Sequence, residues 1–482
     1  MSGRAATDRV LRGRLGISVN DPGHPTPPGW VRTPLTDIAD LGTGHTPSRN
    51  HPEYWDGGVP WIGIRDAGAH HGGIINTTAQ TITPLGLENS SARLLPKETV
   101  CLSRTASVGY VVKMGRDMAT SQDFVTWSCS QALDPDFLMS ALLAEGDDIR
   151  KFGEGSTHTT IYFPAVKAFH LDLPPIAEQR RIVAKLDALT ARIARARAEL
   201  DRVPVLAKRM RERTVRAAFR GQLTTGWRLN QYGTTSKEGA TALPYGWTWS
   251  SLGELADIKS GLTLGKKRAA EAVLVEVPYL RVANVQRGAV NLDVIKHVAV
   301  TQTEIESLRL EIGDMLLNEG GDRDKLGRGW VWEGQIDPCI HQNHVFRARL
   351  KNQRNSPYYV SLYANEFGPD YFLENGTQTT NLASISKSKI SALPIPVAPV
   401  VEQGLIVKSI EAAFARADRL EAEAVRARKL LDRLESAILA KAFRGELVPQ
   451  NPNDEPAEKL LERIRVEREA APKPKRGRRA AS

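Results

Sequence analysis

The sequence AAFRGQL at residues 217–223 returns as KAFRGEL at residues 441–447. Five further short matches link the two halves in the same order. They are PPGWVRTPLTDIADLGTG (27–44) with PYGWTWSSLGELADIKSG (244–261), VPWIGIRD (59–66) with VPYLRVAN (277–284), TSQDFV (120–125) with IHQNHV (340–345), STHTT (156–160) with GTQTT (376–380), and LDLPPIAEQ (171–179) with IPVAPVVEQ (395–403). Collinear self-similarity indicates an internal repeat. The sequence therefore predicts one design written twice in the same chain.

Each repeat has two parts. The first, of about 150 residues, contains short β-type runs broken by Gly, Pro and Asn clusters, together with brief helical stretches,. This pattern predicts a compact mixed α/β domain. The second part follows a proline-rich stop, LPPIAEQ or VAPVVEQ, and predicts a long helix,.

The two predicted helices carry apolar residues at alternating spacings of four and three, which indicates a stripe buried against another helix. In the first helix the stripe comprises Ile182, Leu186, Leu189, Ile193, Ala196, Leu200 and Val203. In the second it comprises Ile406, Ile410, Ala413, Ala417, Leu420, Ala424, Ala427, Leu431, Leu434 and Ile438. Proline breaks helical hydrogen bonding, so Pro204 predicts a kink or restart in the first helix. A helix from Ile176 to Val203 would be roughly 40 Å long.

Composition narrows the function classes. The chain has 482 residues, is 41% hydrophobic and carries a net charge of +10 with a pI near 9.4, which favours a polyanionic partner. Its three cysteines form no C-x-x-C pair, which argues against a disulfide framework or a thiolate metal site,. The sequence shows no membrane span and no signal peptide, so we expect a cytoplasmic protein.

These features divide the chain into seven segments. They are an N-terminal extension (1–26), a first α/β domain (27–174), a first helical region (175–225), a linker (226–243), a second α/β domain (244–398), a second helical region (399–450), and a C-terminal helix with a basic tail (451–482). The extension matches no part of the repeat. The sequence leaves the roles of the extension and of the tail open.

The order of variable domain, PxxEQ helix and AFxGxL, given twice and ending in KAFRGELVPQNPNDEPAEKLLERIR (441–465), resembles the DNA specificity subunit of type I restriction-modification systems. The resemblance covers residues 27 to about 470. It implies two tandem-repeat target recognition domains of mixed α+β fold, separated by two long antiparallel coiled-coil helices with pseudo-two-fold symmetry. Each domain would read one half of a split, asymmetric DNA site.

The same resemblance implies the partners. The helices would dock two modification (methyltransferase) subunits on double-stranded DNA, and restriction (endonuclease and translocase) subunits would join them. S-adenosylmethionine, ATP and Mg²⁺ would be bound by those subunits, and we expect no cofactor and no catalysis in this chain.

Cationic and histidine side chains in polar loops are the candidates for DNA contacts, since Lys and Arg bind phosphates and longer polar side chains reach base edges. They are His45, Arg49, Arg65, Arg104 and His158 in the first domain, and Lys266, Lys267, Arg268, Arg281, Arg323, Lys325 and Arg328 in the second. Gln122 and Asp123 align with Gln342 and Asn343, and this equivalence favours a scaffold role over base reading.

Apolar residues on the helices are the candidates for subunit contacts. They are Ile182, Leu186, Leu189, Ile193, Leu200, Phe219, Ile406, Ile410, Leu420, Leu431, Leu434, Ile438 and Phe443.

Three alternatives stay open. The chain could be the DNA-recognition subunit of another modification system. It could be a nuclease, with Asp314 and either Asp322 or Asp324 near Lys325 forming an acidic metal site,. It could also be a coiled-coil scaffold that binds no DNA, although this leaves two variable basic domains unexplained. The sequence contains no Walker phosphate loop and no amino-methyltransferase motif,.

Overall fold

The computed structural model describes residues 6–154, 159–235, 243–265, 271–321, 326–378 and 383–470. It divides into two compact units. Unit 1 comprises Met1–Glu199 and Ala427–Ser482, and unit 2 comprises Leu200–Arg426. Each unit therefore contains one α/β domain and parts of both long helices.

The first half of the chain, including the N-terminal extension, contains twelve described strands. They are β1 (Leu11–Arg12), β2 (Ile17–Val19), β3 (Val31–Pro34), β4 (Ala39–Thr43), β5 (Trp55–Ile62), β6 (Ile74–Ile75), β7 (Gln80–Ile82), β8 (Val100–Ser103), β9 (Val111–Met114), β10 (Ala119–Thr120), β11 (Phe124–Cys129) and β12 (Phe169–Leu173). Its helices are α1 (Leu35–Ile38), α2 (Ile64–Ala69), α3 (Pro84–Glu88), α4 (Pro135–Glu145), α5 (Phe163–Lys167) and α6 (Ile176–Phe219), with 3-10 turns at Pro52–Tyr54 and Gly146–Phe152.

The second repeat follows a 3-10 turn at Gln222–Thr224. Its described strands are β13 (Thr248–Ser251), β14 (Ala256–Ser260), β15 (Val275–Leu280), β16 (Val285–Gln286), β17 (Ala289–Val290), β18 (Lys296–Val300), β19 (Met315–Asn318), β20 (Gly320–Gly321), β21 (Gly329–Val331), β22 (Ile340–His341), β23 (Val345–Leu350), β24 (Thr377–Gln378), β25 (Ala383–Ser384) and β26 (Pro394–Val397). Its helices are α7 (Thr225–Tyr232), α8 (Leu252–Leu255), α9 (Gln302–Leu308), α10 (Pro357–Asn375), α11 (Lys387–Ser391) and α12 (Val400–Phe443), and α13 (Ala457–Ala470) follows.

The sheets repeat from one unit to the other. Unit 1 contains sheets of order β1-β2-β12-β3, β10-β5-β7 and β4-β11-β8-β9-β6. Unit 2 contains β13-β26, β22-β15-β18, β14-β23-β19-β21, β16-β17 and β20-β25-β24. In the sheets β10-β5-β7 and β22-β15-β18 the central strand pairs in parallel with one neighbour and antiparallel with the other. The mixed α+β fold and the internal repeat are therefore confirmed.

Element lengths reproduce the repeat closely. The run β3-α1-β4 has lengths of four, four and five residues, and β13-α8-β14 has the same lengths. The helices α6 and α12 each contain 44 residues. At a rise of 1.5 Å per residue, each helix is about 66 Å long, which is longer than the 40 Å expected from a break at Val203.

The expected restart at Pro204 is wrong, because α6 continues through this residue. Proline removes one backbone donor and crowds the preceding turn. Pro204 is exposed, so the interruption of backbone hydrogen bonding lies on an exposed part of α6. None of the described helices is both long enough and apolar enough to cross a membrane.

Within each unit the long helices run antiparallel. In unit 1, Arg197 contacts Asp432 at 2.6 Å and Glu435 at 2.7 Å, while Ile182 shares a core with Phe443. In unit 2, Arg211 contacts Glu421 at 2.6 Å and also contacts Asp418, while Phe219 shares a core with Ile406. Residue numbers therefore increase along α6 as those of its contacts on α12 decrease, in both units.

The predicted stripe on α12 is wrong at two positions. Leu420 and Leu434 are 45% and 49% exposed, whereas Ala417 and Ala424 are buried. The half-buried Glu421 and Glu435 lie beside these leucines in sequence and form ion pairs with arginines of α6. The pairing surface is thus rotated toward the two glutamates, and their ion pairs occupy positions that a purely apolar pattern assigns to leucine.

The Glu of each PxxEQ motif binds the Trp of the preceding Gly-Trp motif. The Nε1 of Trp30 donates to Oε1 of Glu178 at 3.1 Å in unit 1. The Nε1 of Trp247 donates to Oε2 of Glu402 at 2.9 Å in unit 2. All four residues are buried. These motifs therefore join the start of each long helix to the first strand region of its own repeat.

The Gln of each PxxEQ motif binds backbone groups. Gln179 accepts the N–H of Asp134 at 2.8 Å and donates to the carbonyls of Ala132 at 2.8 Å and Pro174 at 2.9 Å. Gln403 likewise accepts the N–H of Ser356 at 2.8 Å and donates to the carbonyl of Ala398 at 2.8 Å. Buried amides that satisfy backbone groups fix local geometry, so this pair is structural.

The Ala-Phe-Arg-Gly motifs end the long helices. Gly221 and Gly445 have φ values of +74° and +71°, the left-handed conformation that terminates helices and favours glycine. Phe219 packs on Tyr359 and Tyr363 of unit 2, with ring centroids 4.9 and 5.1 Å away. Phe443 packs on Phe137 of unit 1 at 5.5 Å. Each motif thus serves the core of the unit in which its helix ends.

The N-terminal extension belongs to the core of unit 1. Strand β2 pairs with β12, and Ile17 and Val19 are buried. The buried carboxylate of Glu145 accepts the N–H groups of Leu15, Gly16 and Ile17 at 3.1, 2.8 and 2.9 Å. Residues that lie outside the sequence repeat therefore complete a sheet of the first unit.

Candidate nucleic-acid interface

His45 and Arg49 lie together at the three-stranded sheet of unit 1. The Arg49 guanidinium stacks on Trp55 at 3.7 Å from the ring centroid and donates to Oε1 of Gln80 at 2.9 Å. The carbonyl of His45 accepts the indole N–H of Trp61 at 3.0 Å. Stacking on an aromatic face restrains an exposed cation. We call Arg49, Trp55 and Gln80 the Arg49 cluster.

Arg104 holds a turn beside this sheet. Its Nη2 donates to the carbonyl of Gln122 at 3.2 Å, and its guanidinium lies 5.0 Å from the ring centroid of Phe163. Burial lowers the pKa of Arg104, although the Asp123 carboxylate opposes this effect. Arg104 therefore stabilises backbone structure, whereas Arg65 is exposed on the first turn of α2. His158 lies outside the described residues.

Arg281 and Arg328 are brought together in unit 2 by Asn318. The backbone N–H of Asn318 donates to the Arg328 carbonyl at 3.0 Å. Its side-chain amide donates to the carbonyls of Val282 and Val285 at 3.3 and 3.0 Å. Both arginines are half-buried, and their buried Nε atoms have no hydrogen-bond partner among the residues that the structure describes. The remaining candidates, Lys266, Lys267, Arg268, Arg323 and Lys325, lie outside the described residues.

Equivalent backbone hydrogen bonds at one turn in each unit show that the sequence alignment of the two repeats needs correction. In unit 1, Ser121 donates its N–H to the carbonyl of Ile62 at 3.0 Å. In unit 2, Gln342 donates its N–H to the carbonyl of Leu280 at 2.8 Å. Ser121 is therefore equivalent to Gln342, and Gln122 is equivalent to Asn343. The sequence alignment of Gln122 with Gln342 is wrong by one residue, because similar letters do not fix the register of strand pairing.

Asp314, an acid of the alternative nuclease site, is already engaged. Its carboxylate accepts from Nε and Nη2 of Arg349 at 2.7 and 2.8 Å, and it is 1% exposed. Asp322 and Asp324 lie outside the described residues. Across the described part of the chain, no group of three or more His, Cys, Asp or Glu side chains could hold a metal ion.

The subunit-contact candidates divide by exposure. Ile182, Leu186, Ile193, Phe219, Ile406, Ile410 and Phe443 are buried within this chain, and Leu189, Leu200, Leu431 and Ile438 are half-buried. Leu420 in unit 2 and Leu434 in unit 1 are the most exposed of the set. Docking of other subunits on these residues stays a prediction.

Sequence reasoning did not identify the Trp–Glu pairs or the Glu145 site. A signal for the first was present, since Gly-Trp and Glu-Gln recur in both repeats. Glu145 had no such signal, because its partners are backbone groups of the N-terminal extension.

Comparison with known proteins agrees with this architecture. The family model described as "Type I restriction modification DNA specificity domain" matches residues 27–203 and 244–426. The chain is 26% identical to the EcoKI specificity subunit of Escherichia coli K12 over 92% of this chain and 97% of that protein. It is also 26% identical to the StySPI specificity subunit of Salmonella potsdam over 92% and 96%.

Solved structures share the fold. The HsdS subunit from Thermoanaerobacter tengcongensis aligns with a TM-score of 0.58 at 18% identity, covering 88% of this chain and 99% of that one. A chain from a structural study of the assembly of the type I R-M system aligns with a TM-score of 0.55 at 20% identity, covering 88% and 100%. With two matched domains, a repeated frame and two long helices, this chain belongs to the type I restriction-modification DNA specificity family.

Proposed function

We propose that this chain selects the DNA sequence on which a type I restriction-modification complex acts. The variable region of unit 1 reads one half of an asymmetric duplex site, and the variable region of unit 2 reads the other half. One observation carries this proposal: the same backbone frame occurs twice, while the exposed polar residues on it differ. Two similar frames with different surfaces suit a bipartite site whose halves differ in sequence.

In this proposal the chain performs no catalysis itself. Two modification subunits dock on the long helices, and restriction subunits join the complex. S-adenosylmethionine, ATP and Mg²⁺ are bound by those partners. The exposed Leu420 and Leu434 are apolar side chains on the long helices that are available for such docking.

Methylation mapping tests the reading function. A host carrying modification subunits is compared with and without this chain, and methylated positions are mapped genome-wide. We expect a bipartite motif that requires the chain. Replacing residues 27–174 with the corresponding segment of another family member should change one half of the motif and leave the other half unchanged. Loss of both halves in a folded chimera would contradict independent reading.

Incubation of the purified chain with duplex DNA and Mg²⁺ tests the assignment of catalysis to the partners. We expect intact DNA. Cleavage that persists after rigorous removal of other subunits would show a nuclease site in this chain and overturn the non-catalytic proposal.

A further inference from the structure

The turn at residues 120–124 and its equivalent at residues 341–345 share one hydrogen-bonded frame. In unit 1, His45 N–H donates to the Thr120 carbonyl at 2.9 Å, and Arg104 N–H donates to the Asp123 carbonyl at 2.8 Å. In unit 2, Leu262 N–H donates to the His341 carbonyl at 2.7 Å, and Glu319 N–H donates to the His344 carbonyl at 2.9 Å. Hydrogen bonds within each turn also match, from Phe124 to Ser121 at 3.4 Å and from Val345 to Gln342 at 2.9 Å.

The residues between the fixed carbonyls differ at every position, and those on either side of the central one also differ in chemical group. Ser121, Gln122 and Asp123 in unit 1 correspond to Gln342, Asn343 and His344 in unit 2. Gln122 and His344 are exposed, and Gln342 and Asn343 are half-buried. By contrast, the Trp–Glu pairs and the Gln of the PxxEQ motifs are kept in both repeats. The turn thus combines the same hydrogen-bonded backbone in both units with different residues.

In unit 1 the side-chain amide of Gln122 is oriented by Thr46, and its backbone carbonyl binds a cation. Its Oε1 accepts from the Thr46 hydroxyl, and its carbonyl accepts from Arg104. The Arg49 cluster adjoins the turn through His45, whose N–H bonds Thr120 and whose carbonyl bonds Trp61. Cations that bind phosphates can position an adjacent side chain at base edges. In unit 2, the N–H of Gln342 bonds the residue that precedes Arg281.

We propose that Gln122 and Asn343 are specificity-determining residues, each reading an adenine in the major groove of its own half-site. This inference rests on the proposed function and deepens it. An Asn or Gln amide pairs bidentately with N6 and N7 of adenine. The two residues occupy equivalent positions and carry the same functional group, with Gln122 longer by one methylene group. The backbone hydrogen bonds of the turn position the amide. The surrounding domain determines which base pair of the half-site the amide contacts.

Selection from random duplexes tests the assignment. The full-length chain, co-purified with its modification subunits, is equilibrated with a random duplex library, and bound DNA is sequenced. Gln122→Ala should weaken the preference for adenine at one position of one half-site by roughly ten-fold, leaving the other half-site unchanged. Asn343→Ala should do the same in the other half-site. Asn89→Ala and Gln353→Ala, exposed amides elsewhere in units 1 and 2, are matched controls and should change neither.

A second variant separates base reading from loss of structure. Gln122→Glu keeps the side-chain length but replaces the amide donor with an acceptor, so preference at that position should move from adenine toward cytosine, whose N4 donates. Equal weakening for all sequences, or unchanged preferences in Gln122→Ala and Asn343→Ala, would overturn the assignment while leaving the proposed function intact. A wild-type complex without any bipartite preference would overturn the proposed function and this inference with it.

Discussion

The Nε1 of Trp247 donates a 2.9 Å hydrogen bond to Oε2 of Glu402, and both residues are fully buried. Glu402 also binds two further residues. Its Oε1 accepts from the Thr224 hydroxyl at 2.6 Å and contacts the buried guanidinium of Arg228. Both units share the bond between the motif glutamate and a tryptophan. In unit 2 the same glutamate also forms a buried ion pair.

We predict that Glu402→Ala destabilises unit 2 more than Glu178→Ala destabilises unit 1. Removing Glu402 leaves the buried charge of Arg228 unpaired, which costs about 3 to 5 kcal/mol. Removing Glu178 costs about 1 to 3 kcal/mol, since it leaves an indole donor unsatisfied. Amide hydrogen exchange resolves the loss within each unit. Equal loss of protection in the two variants would contradict a structural ion pair at Arg228.

We predict that Glu178 makes unit 1 less stable as pH rises. Burial raises the pKa of Glu178, although the Trp30 hydrogen bond opposes this effect. A carboxyl with a raised pKa binds its proton more tightly in the folded state, so stability is highest below the ordinary value of 4.5 and falls until the pH exceeds the raised pKa,. Glu178→Gln keeps an acceptor for Trp30 and removes the titration. Its unfolding free energy between pH 4 and 7 should therefore fall less steeply than that of the wild type.

The repeat and the long helices were predictable because they depend on local patterns. Gly-Trp, PxxEQ and Ala-Phe-Arg-Gly each satisfy a local structural need, and they recur where the structure places equivalent elements. Caps were also readable, as with Ser251 and Glu254, which form a capping box at α8. Such features require few long-range contacts, so they can be predicted from the residue types and their spacing.

The features that sequence reasoning missed depend on long-range geometry. The register of the turn at Gln122 is fixed by pairing with Ile62, nearly sixty residues earlier in the chain. The rotation of α12 away from Leu420 depends on Arg211 reaching Glu421. Neither pairing leaves a periodic signal in one sequence. The two repeats each contain a glutamine in this turn, but the two glutamines are one position apart in the structural alignment. Matching them in sequence therefore gave the wrong register.

We predict that the arginines of α6 help to fix its pairing with α12. Arg197→Glu places a third negative charge beside Asp432 and Glu435 and should lower the stability of unit 1 by about 1 kcal/mol, since such half-exposed pairs contribute little individually,. Adding Asp432→Lys and Glu435→Lys should recover most of this loss. The difference should shrink at 1 M salt, where screening is strong. A charge-reversed triple variant no more stable than Arg197→Glu would show that the ion pairs do not contribute.

We predict that Arg192 and Arg195 bind DNA phosphates. The segment 175–225 contains thirteen Lys or Arg and five Asp or Glu, and both residues are exposed. Replacing them together with alanine should reduce the slope of log K against log salt by about 0.9 for each phosphate that is no longer neutralised. Arg197→Ala is the control, because Asp432 and Glu435 already pair with Arg197. An unchanged slope in the double variant would show that these arginines do not contact DNA phosphates.

We predict that the long helices set the separation of the two half-sites. Arg211 lies fourteen residues after Arg197, and Asp418 lies fourteen residues before Asp432, so the ion pairs recur after two heptads. Inserting seven residues into both helices, after Leu200 and after Arg426, keeps this periodicity and adds about 10 Å. The preferred spacer should lengthen by about three base pairs at 3.4 Å each. Inserting seven residues into α6 alone offsets the pairing and should destabilise the protein. Methylation or footprint mapping measures the spacer, and a folded double-insertion variant with the original spacing would show that the helices do not determine it.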